Sequence, residues 1–180
     1  MSSTRPMVDR ITQAMVGGFD LATIYCGRKL GWFAGLAALE TASSGELAAW
    51  ARTSERYTRE WLETAAIAGL IAVAEQAAGG DSRRYALLPG SEAVFCDIEG
   101  NVPELHDLMC AFASLVKVPD LVAHYRSGTG LPFSDYGDDM RTSQALSTRW
   151  VYLHDLEAVW LPALGETFSR LQDYGGRIAD

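Results

Sequence analysis

Apolar residues return at helical spacing through most of this chain. Ile11, Met15 and Phe19, then Leu21, Ile24 and Tyr25, then Trp32, Phe33, Leu36 and Leu39 predict helices from about Val8 to Leu39. Glycines at 17, 18, 27, 31 and 35 interrupt that pattern, and each costs about 1 kcal/mol relative to alanine inside a helix. Two or three helices are therefore expected, with close backbone packing at the glycines.

The next stretch reads as one compact unit. Ser43 followed by Glu46 is a capping box opening a short helix over Leu47, Ala48 and Trp50. Arg52-Thr53 makes a tight turn, and Ser54 is placed to cap a second helix. On that helix Tyr57, Trp61, Ala65 and Ala68 fall on one face, joined by Leu62, and Gly69 ends it. "LIAVAE" and "RRYALLP" then read as short strands around a hairpin loop, "QAAGGDS". Helix, turn, helix and a two-stranded hairpin is the order of a winged helix.

Helices resume after the hairpin. Pro103 suits a first helical turn, and Leu105, Met109, Phe112 and Val116 make one apolar stripe. Pro119-Asp120 ends that helix and starts a short one through Tyr125. The loop "RSGTGLPFSDYGDD" carries Phe133 and Tyr136, and a long loop with aromatics points to function. A long helix follows from Asp139, with Leu146, Trp150, Leu153 and Trp160 on its predicted buried side until Pro162 breaks or restarts it. A last helix places Leu164, Phe168 and Leu171 inside and stops at Gly175-Gly176, after which "RIAD" opens a strand. The expected fold is mainly α: a winged helix-turn-helix with one small β-hairpin, packed with additional helices at both ends. The divisions read as 1–42, 43–90, 91–176 and 177–180.

Charge narrows the function. The formal net charge is −8, with Lys29 and Lys117 the only lysines. The unit from Ser44 to Leu88 holds five arginines against six acids, a poor balance for contacting phosphate backbones. Arg83 and Arg84 in the hairpin read as a solvated rim. Cys26, Cys96 and Cys110 are far apart and lack any C-x-x-C spacing, so they read as reduced core thiols. "MSSTRPMVDR" lacks the apolar stretch of a secretion signal, and the most apolar runs are far shorter than the ~20 residues that cross a bilayer. A cytoplasmic protein without a membrane partner is expected. His106, His124 and His154 are scattered, with too few ligands nearby for a metal. His124 shares a helix face with Asp120, and His154 precedes Asp155 and Glu157, which suggests local hydrogen bonds or ion pairs. No catalytic residue is named.

Three stretches carry a family resemblance: "TSERYTREWLETAAIAGLI", "GTGLPFSDYG" and "WLPALGETFSRLQDYGGRIAD". The chain resembles the amino-terminal portion of a class I S-adenosylmethionine-dependent methyltransferase that carries a winged helix before its Rossmann-like catalytic domain. The resemblance implies that Asp180 stands at the first position of the Asp-x-Gly-x-Gly turn that cradles the cofactor. The glycines of that turn do not follow in this sequence, so S-adenosylmethionine is the implied cofactor of a full-length enzyme and none is expected on this chain alone. It further implies that the early helices and winged helix support a homodimer, and that the later helices cap a small-molecule acceptor. Phe133, Tyr136, Trp150 and His154 are then candidate pocket residues, with Tyr25 a further one; Trp150 also reads as plain core. An aromatic lining would suit a planar or apolar molecule.

Three readings follow. The chain is the dimerisation and substrate-capping region of a small-molecule methyltransferase, or a winged-helix transcription regulator with a helical effector part, or a free-standing ligand-binding protein derived from the methyltransferase. Negative charge counts against the second. The homodimer is also expected from the apolar surface of Trp32, Phe33 and Leu36.

Overall fold

A computed structural model describes residues 4–75, 83–97 and 102–177. Helix α1 (Arg5–Lys29) is unbroken through Gly17, Gly18 and Gly27, because a helix that long carries three glycines without losing its hydrogen-bond ladder. Gly31, left-handed at φ 72°, turns the chain into α2 (Trp32–Leu39). Then come α3 (Ser44–Ala51), α4 (Glu55–Ile67) and an antiparallel pair, β1 (Ile71–Glu75) with β2 (Arg84–Leu87). The expected winged helix-turn-helix is present. Ala42 adds a one-residue bridge to Tyr85, tying the entry to α3 onto the hairpin.

The capping box of α3 forms as expected: the Glu46 amide donates to Ser43 Oγ at 3.3 Å and the Ser43 amide donates to Glu46 Oε2 at 2.8 Å. Ser54 does not cap α4 with its side chain; its carbonyl instead accepts from the Thr58 hydroxyl at 3.0 Å. The buried face of α4 is Thr58, Trp61, Leu62 and Ala65. Tyr57 is 69% exposed, a correction to the predicted face, because Thr58 is the residue one turn before Trp61 and Leu62 that points inward.

The core gathers around aromatics. Trp61 meets Trp32 with centroids 4.9 Å apart and the edge of Phe33 at 5.1 Å, and Phe33 stacks on Phe95 at 4.2 Å. Both buried indoles keep a partner for their N–H: Trp61 Nε1 donates to the Thr23 carbonyl at 2.9 Å and Trp32 Nε1 to Thr53 Oγ1 at 3.1 Å. Gly27 makes this possible, since a Cβ there would lie 2.4 Å from Phe33 and 2.5 Å from Trp61. Gly17 and Gly18, by contrast, face open space. Trp32, Phe33 and Leu36 are thus covered within the chain, so they are not the uncovered surface from which the dimer was argued.

The remaining helices are α5 (Ser91–Phe95), α6 (Pro103–Leu115), α7 (Val118–Ser127), α8 (Gly137–Asp155), α9 (Leu161–Ala163) and α10 (Glu166–Tyr174), with a 3₁₀ turn over Phe133–Tyr136. Helix α6 packs most extensively on α8. Its stripe is half right: Leu105 and Met109 are buried, Phe112 is half-buried and Val116 is exposed, because the helix ends at Leu115. A π-helical turn over Leu156–Trp160 links α8 to α9. Pro162 explains it, having no N–H for the carbonyl one turn back and a ring that crowds it, so the turn widens. Leu153, Trp160 and Leu164, expected inside, are exposed, although Trp160 still meets the edge of Tyr152 at 5.7 Å. Gly175 ends α10 as expected. The hairpin loop, most of "RIAD" and Asp180 lie outside the described residues.

No single described helix is long and apolar enough to cross a membrane. Helices α6 and α7 qualify only as a pair bent by 60°, and α6 turns its apolar face onto the protein.

Candidate functional site

Three elements meet at Tyr25. From α1 its ring stacks on Phe112 of α6, centroids 4.1 Å apart, and its hydroxyl donates to Asp139 at the start of α8. One turn on, Lys29 pairs with the same carboxylate. The Asp139 carboxyl is held below its ordinary range by Lys29 first and Tyr25 second. The Tyr25 phenol is pushed up to about 12, chiefly because it donates to Asp139 and also because it is partly buried.

This junction borders a cleft of about 470 Å³ between α1, α5, α6 and α8. Phe33, Phe95, Met109 and Leu146 supply apolar wall; Arg28, Lys29, Asp138, Asp139, His106 and Cys96 supply the titratable groups. Arg28 donates through Nη1 to the carbonyls of Phe95 at 2.9 Å and Asp97 at 2.7 Å, which fastens α5 to α1. Burial holds its pKa below the usual value. Asp138 pairs with Arg141. His106 is 1% exposed, and its Nε2 has no hydrogen-bonding partner among the described residues. Burial, helped by Arg28, pushes the imidazole down, so the ring is neutral near pH 7.

The other candidates from sequence do not converge on this cleft. Phe133 borders a separate hollow with Cys110, Met140 and Ser147, and Tyr136 lies beside it with ring centroids 6.4 Å apart. Trp150 is half-buried on α8, and exposed His154 stacks on it at 4.4 Å while donating from Nδ1 to the Trp150 carbonyl at 2.8 Å. That is a local hydrogen bond, made to a backbone carbonyl one turn back and not to Asp155 or Glu157. His124 instead bonds the Thr129 hydroxyl at 2.8 Å, and Asp120 pairs with Lys117; the predicted His124–Asp120 pairing does not form because each has a nearer partner. Cys26 is exposed and not a core thiol, whereas Cys96 and Cys110 are half-buried, their thiols raised by burial. No group of three or more metal-ligating side chains occurs among the described residues.

Sequence reasoning missed His106 and Arg28. A signal existed for the first: His106 sits three positions before Met109 and next to Leu105 on the apolar stripe of α6, so the pattern places an imidazole inside. Nothing local marks Arg28, whose partners lie 67 and 69 positions on.

Three of the five arginines between Ser44 and Leu88 pair with acids of the same unit. Arg59 pairs with Glu55 at 3.5 Å along α4. Arg83 reaches Glu63 at 3.8 Å, and Arg84 reaches Glu46 at 2.9 Å while donating to the Thr41 carbonyl and hydroxyl. Arg83 and Arg84 are therefore not a free rim.

Residues 21–95 match the Rv2258c-like winged HTH domain. The matched span opens inside α1 and closes at the end of α5, so it takes in the helices, the hairpin and the Arg28 wall of the cleft. No curated protein matches the chain.

Proposed function

We propose that this chain is the dimerisation and substrate-capping region of an S-adenosylmethionine-dependent methyltransferase that acts on a small molecule. The observation that carries the reading is the pairing of Arg59, Arg83 and Arg84 with acids of the same winged helix. A nucleic-acid reader leaves such groups free for phosphates; a module that packs against protein does not need them. The reading is supported further by uncovered apolar side chains at both ends. Met7, Ile11, Met15 and Phe19 along α1 suit a second copy of the chain, and Leu153, Leu156, Trp160 and Leu164 suit a following domain. The methyl-transfer part rests on the likeness of the three stretches given above and of Asp180 to the cofactor turn.

Phe133, Tyr136, Trp150 and His154 then belong to the capping surface, and Tyr25 holds α8 to α1 behind it. No cofactor step is assigned to residues of this chain.

Reading the gene past the codon for Asp180 tests the proposal. It expects one residue, a glycine, another residue and a second glycine; a stop codon or a sequence without that turn overturns it. Titration against duplex DNA at low and moderate salt tests the regulator reading. Tight binding that weakens steeply with salt would put that reading in place of this one.

A further inference from the structure

We propose that the cleft between α1, α5, α6 and α8 binds an aromatic carboxylic acid, whose carboxylate takes the open Nε–Nη2 edge of Arg28 and the hydroxyl of Ser143. A guanidinium carries five N–H donors. Arg28 directs both donors of Nη1 at backbone carbonyls, of Phe95 at 2.9 Å and of Asp97 at 2.7 Å. What remains is the Nε–Nη2 edge, with the parallel pair of N–H groups that fits a carboxylate. It bonds to nothing among the described residues and is not sealed from solvent. That edge belongs to this cleft: Arg28 lines it, and does not line the neighbouring hollow of Glu92, Asp97 and Val102 that shares Cys96 with it. Burial and then the Arg28 charge hold the His106 imidazole down, which sets the guanidinium beside the α6 wall. Ser143 of α8 repeats the pattern. It is 7% exposed, and its Oγ has no partner among the described residues yet is not sealed off. Ser143 lines this cleft, whereas Gln144 and Ser147 line the hollow beside Phe133.

Charge at the cleft favours one added anion. Lys29 is paired with Asp139, and Asp138 with Arg141. Asp97, the acid that acts on Arg28, accepts from the Val102 amide at 2.9 Å. Arg28 is bonded only to uncharged carbonyls among the described residues, and a half-buried cation gains most from a carboxylate placed on its fork. A dianion such as phosphate would set its second charge against Asp138 and Asp139. The rest of the wall is apolar: Phe33 stacked on Phe95, with Ala34, Met109 and Leu146, which favours a flat ring system over a sugar acid. The volume of about 470 Å³ falls within the range of small-molecule pockets, about 300–1,000 Å³. The site lies wholly within this chain and involves no methyl transfer, so it goes beyond the function proposed above.

Calorimetric titration of the whole 180-residue chain with naphthoate, naphthol and acetate tests the assignment. Naphthoate is expected to bind about tenfold more tightly than naphthol, the scale of one charge-assisted hydrogen bond, and acetate to show no saturable binding. Arg28→Lys keeps the charge but not the fork, and should weaken naphthoate about tenfold while leaving naphthol unchanged. Ser143→Ala should weaken naphthoate roughly threefold. Leu146→Trp should fill the cleft and weaken naphthoate and naphthol alike. Far-ultraviolet circular dichroism checks that each variant is folded. Because Leu146 is only half-buried, its variant keeps the test usable if Arg28→Lys, which loosens α5 from α1, does not fold. Naphthol or acetate binding as tightly as naphthoate, no saturable binding of naphthoate, or full naphthoate affinity in a folded Arg28→Lys, Ser143→Ala or Leu146→Trp chain would each overturn the site. Methyl transfer is not measured, so this outcome and the sequence beyond Asp180 fail independently.

Discussion

Tyr25 and Asp139, 114 positions apart, share one hydrogen bond that joins the end of α1 to the start of α8. The phenol is the donor and the carboxylate the acceptor, so the bond persists only while the phenol keeps its proton. With its folded value at about 12 against an ordinary 10.0, its contribution is full below pH 10 and is lost as pH rises through the folded value. Asp139→Asn should return one tyrosine from the top of the phenolate titration to the ordinary range. It should also lower stability by about 1 kcal/mol, the worth of a half-exposed charged hydrogen bond. Ultraviolet titration beside a Tyr25→Phe control checks the assignment; an unchanged curve for Asp139→Asn contradicts it.

The capping box gives an acid-side counterpart. The Ser43 amide and then the Ser43 hydroxyl, ahead of Arg84, hold the Glu46 carboxyl below its usual 4.5. A depressed carboxyl contributes stability above its unfolded value and loses it as pH falls through the folded one. Glu46→Ala should cost about 1 kcal/mol at neutral pH, and the difference from wild type should shrink once pH falls well below the usual carboxyl value. Urea midpoints at neutral and at acid pH measure it.

The same box shows why the winged helix could be read from sequence. Its signals are short-range: Ser43 to Glu46, Gly69 after Ala68, and alternation in the two strands flanking the hairpin. Each names an element and its end without knowledge of the rest. The cleft is different, because Arg28, His106 and Asp139 come from three helices that only packing brings together. Periodicity could place His106 on an inner face, but not tell what lies opposite. The exposed ends of the fold misled for a related reason. An apolar stripe says that a side chain will be covered, as at Leu153 and Trp160, and not whether this chain supplies the cover.

Stability should fall as pH drops through about 6.5, because of His106. Burial and the Arg28 guanidinium lower its pKa, against the weaker opposing pull of Asp97 and Asp107. Between the lowered and the ordinary value the unfolded chain takes up a proton that the folded chain refuses, so unfolding gains as the solution is acidified. His106→Gln should flatten the slope of unfolding free energy against pH between about 7.5 and 5.5. A slope unaltered by the substitution would mean that another group carries it.

Gly27 should be the least tolerant glycine of α1. Alanine would gain about 1 kcal/mol in helix propensity, but its Cβ would press on Phe33 and Trp61 at under 2.6 Å. Both rings are held in the aromatic core, so overpacking should win and Gly27→Ala should destabilise by about 1–3 kcal/mol. A midpoint equal to or above wild type would show that the rings can shift.

Gly17→Ala poses the opposite case and bears on the second copy. Nothing among the described residues lies within 4 Å of a Cβ at Gly17 or Gly18, so within one copy the change should stabilise α1 by about 1 kcal/mol. If a second copy packs its helix there, the added methyls hold the backbones apart and association weakens instead. Light scattering across a concentration series separates the effects. Wild type is expected as a dimer at micromolar concentration. Gly17→Ala with Gly18→Ala is expected to dissociate more readily, and Ile11→Asp with Met15→Asp to be monomeric with helical content kept. Ile11 and Met15 are each 58% exposed, so the aspartates meet water in a monomer and an apolar partner only in a dimer. A wild-type chain already monomeric at that concentration would show that α1 is covered by something other than its own copy.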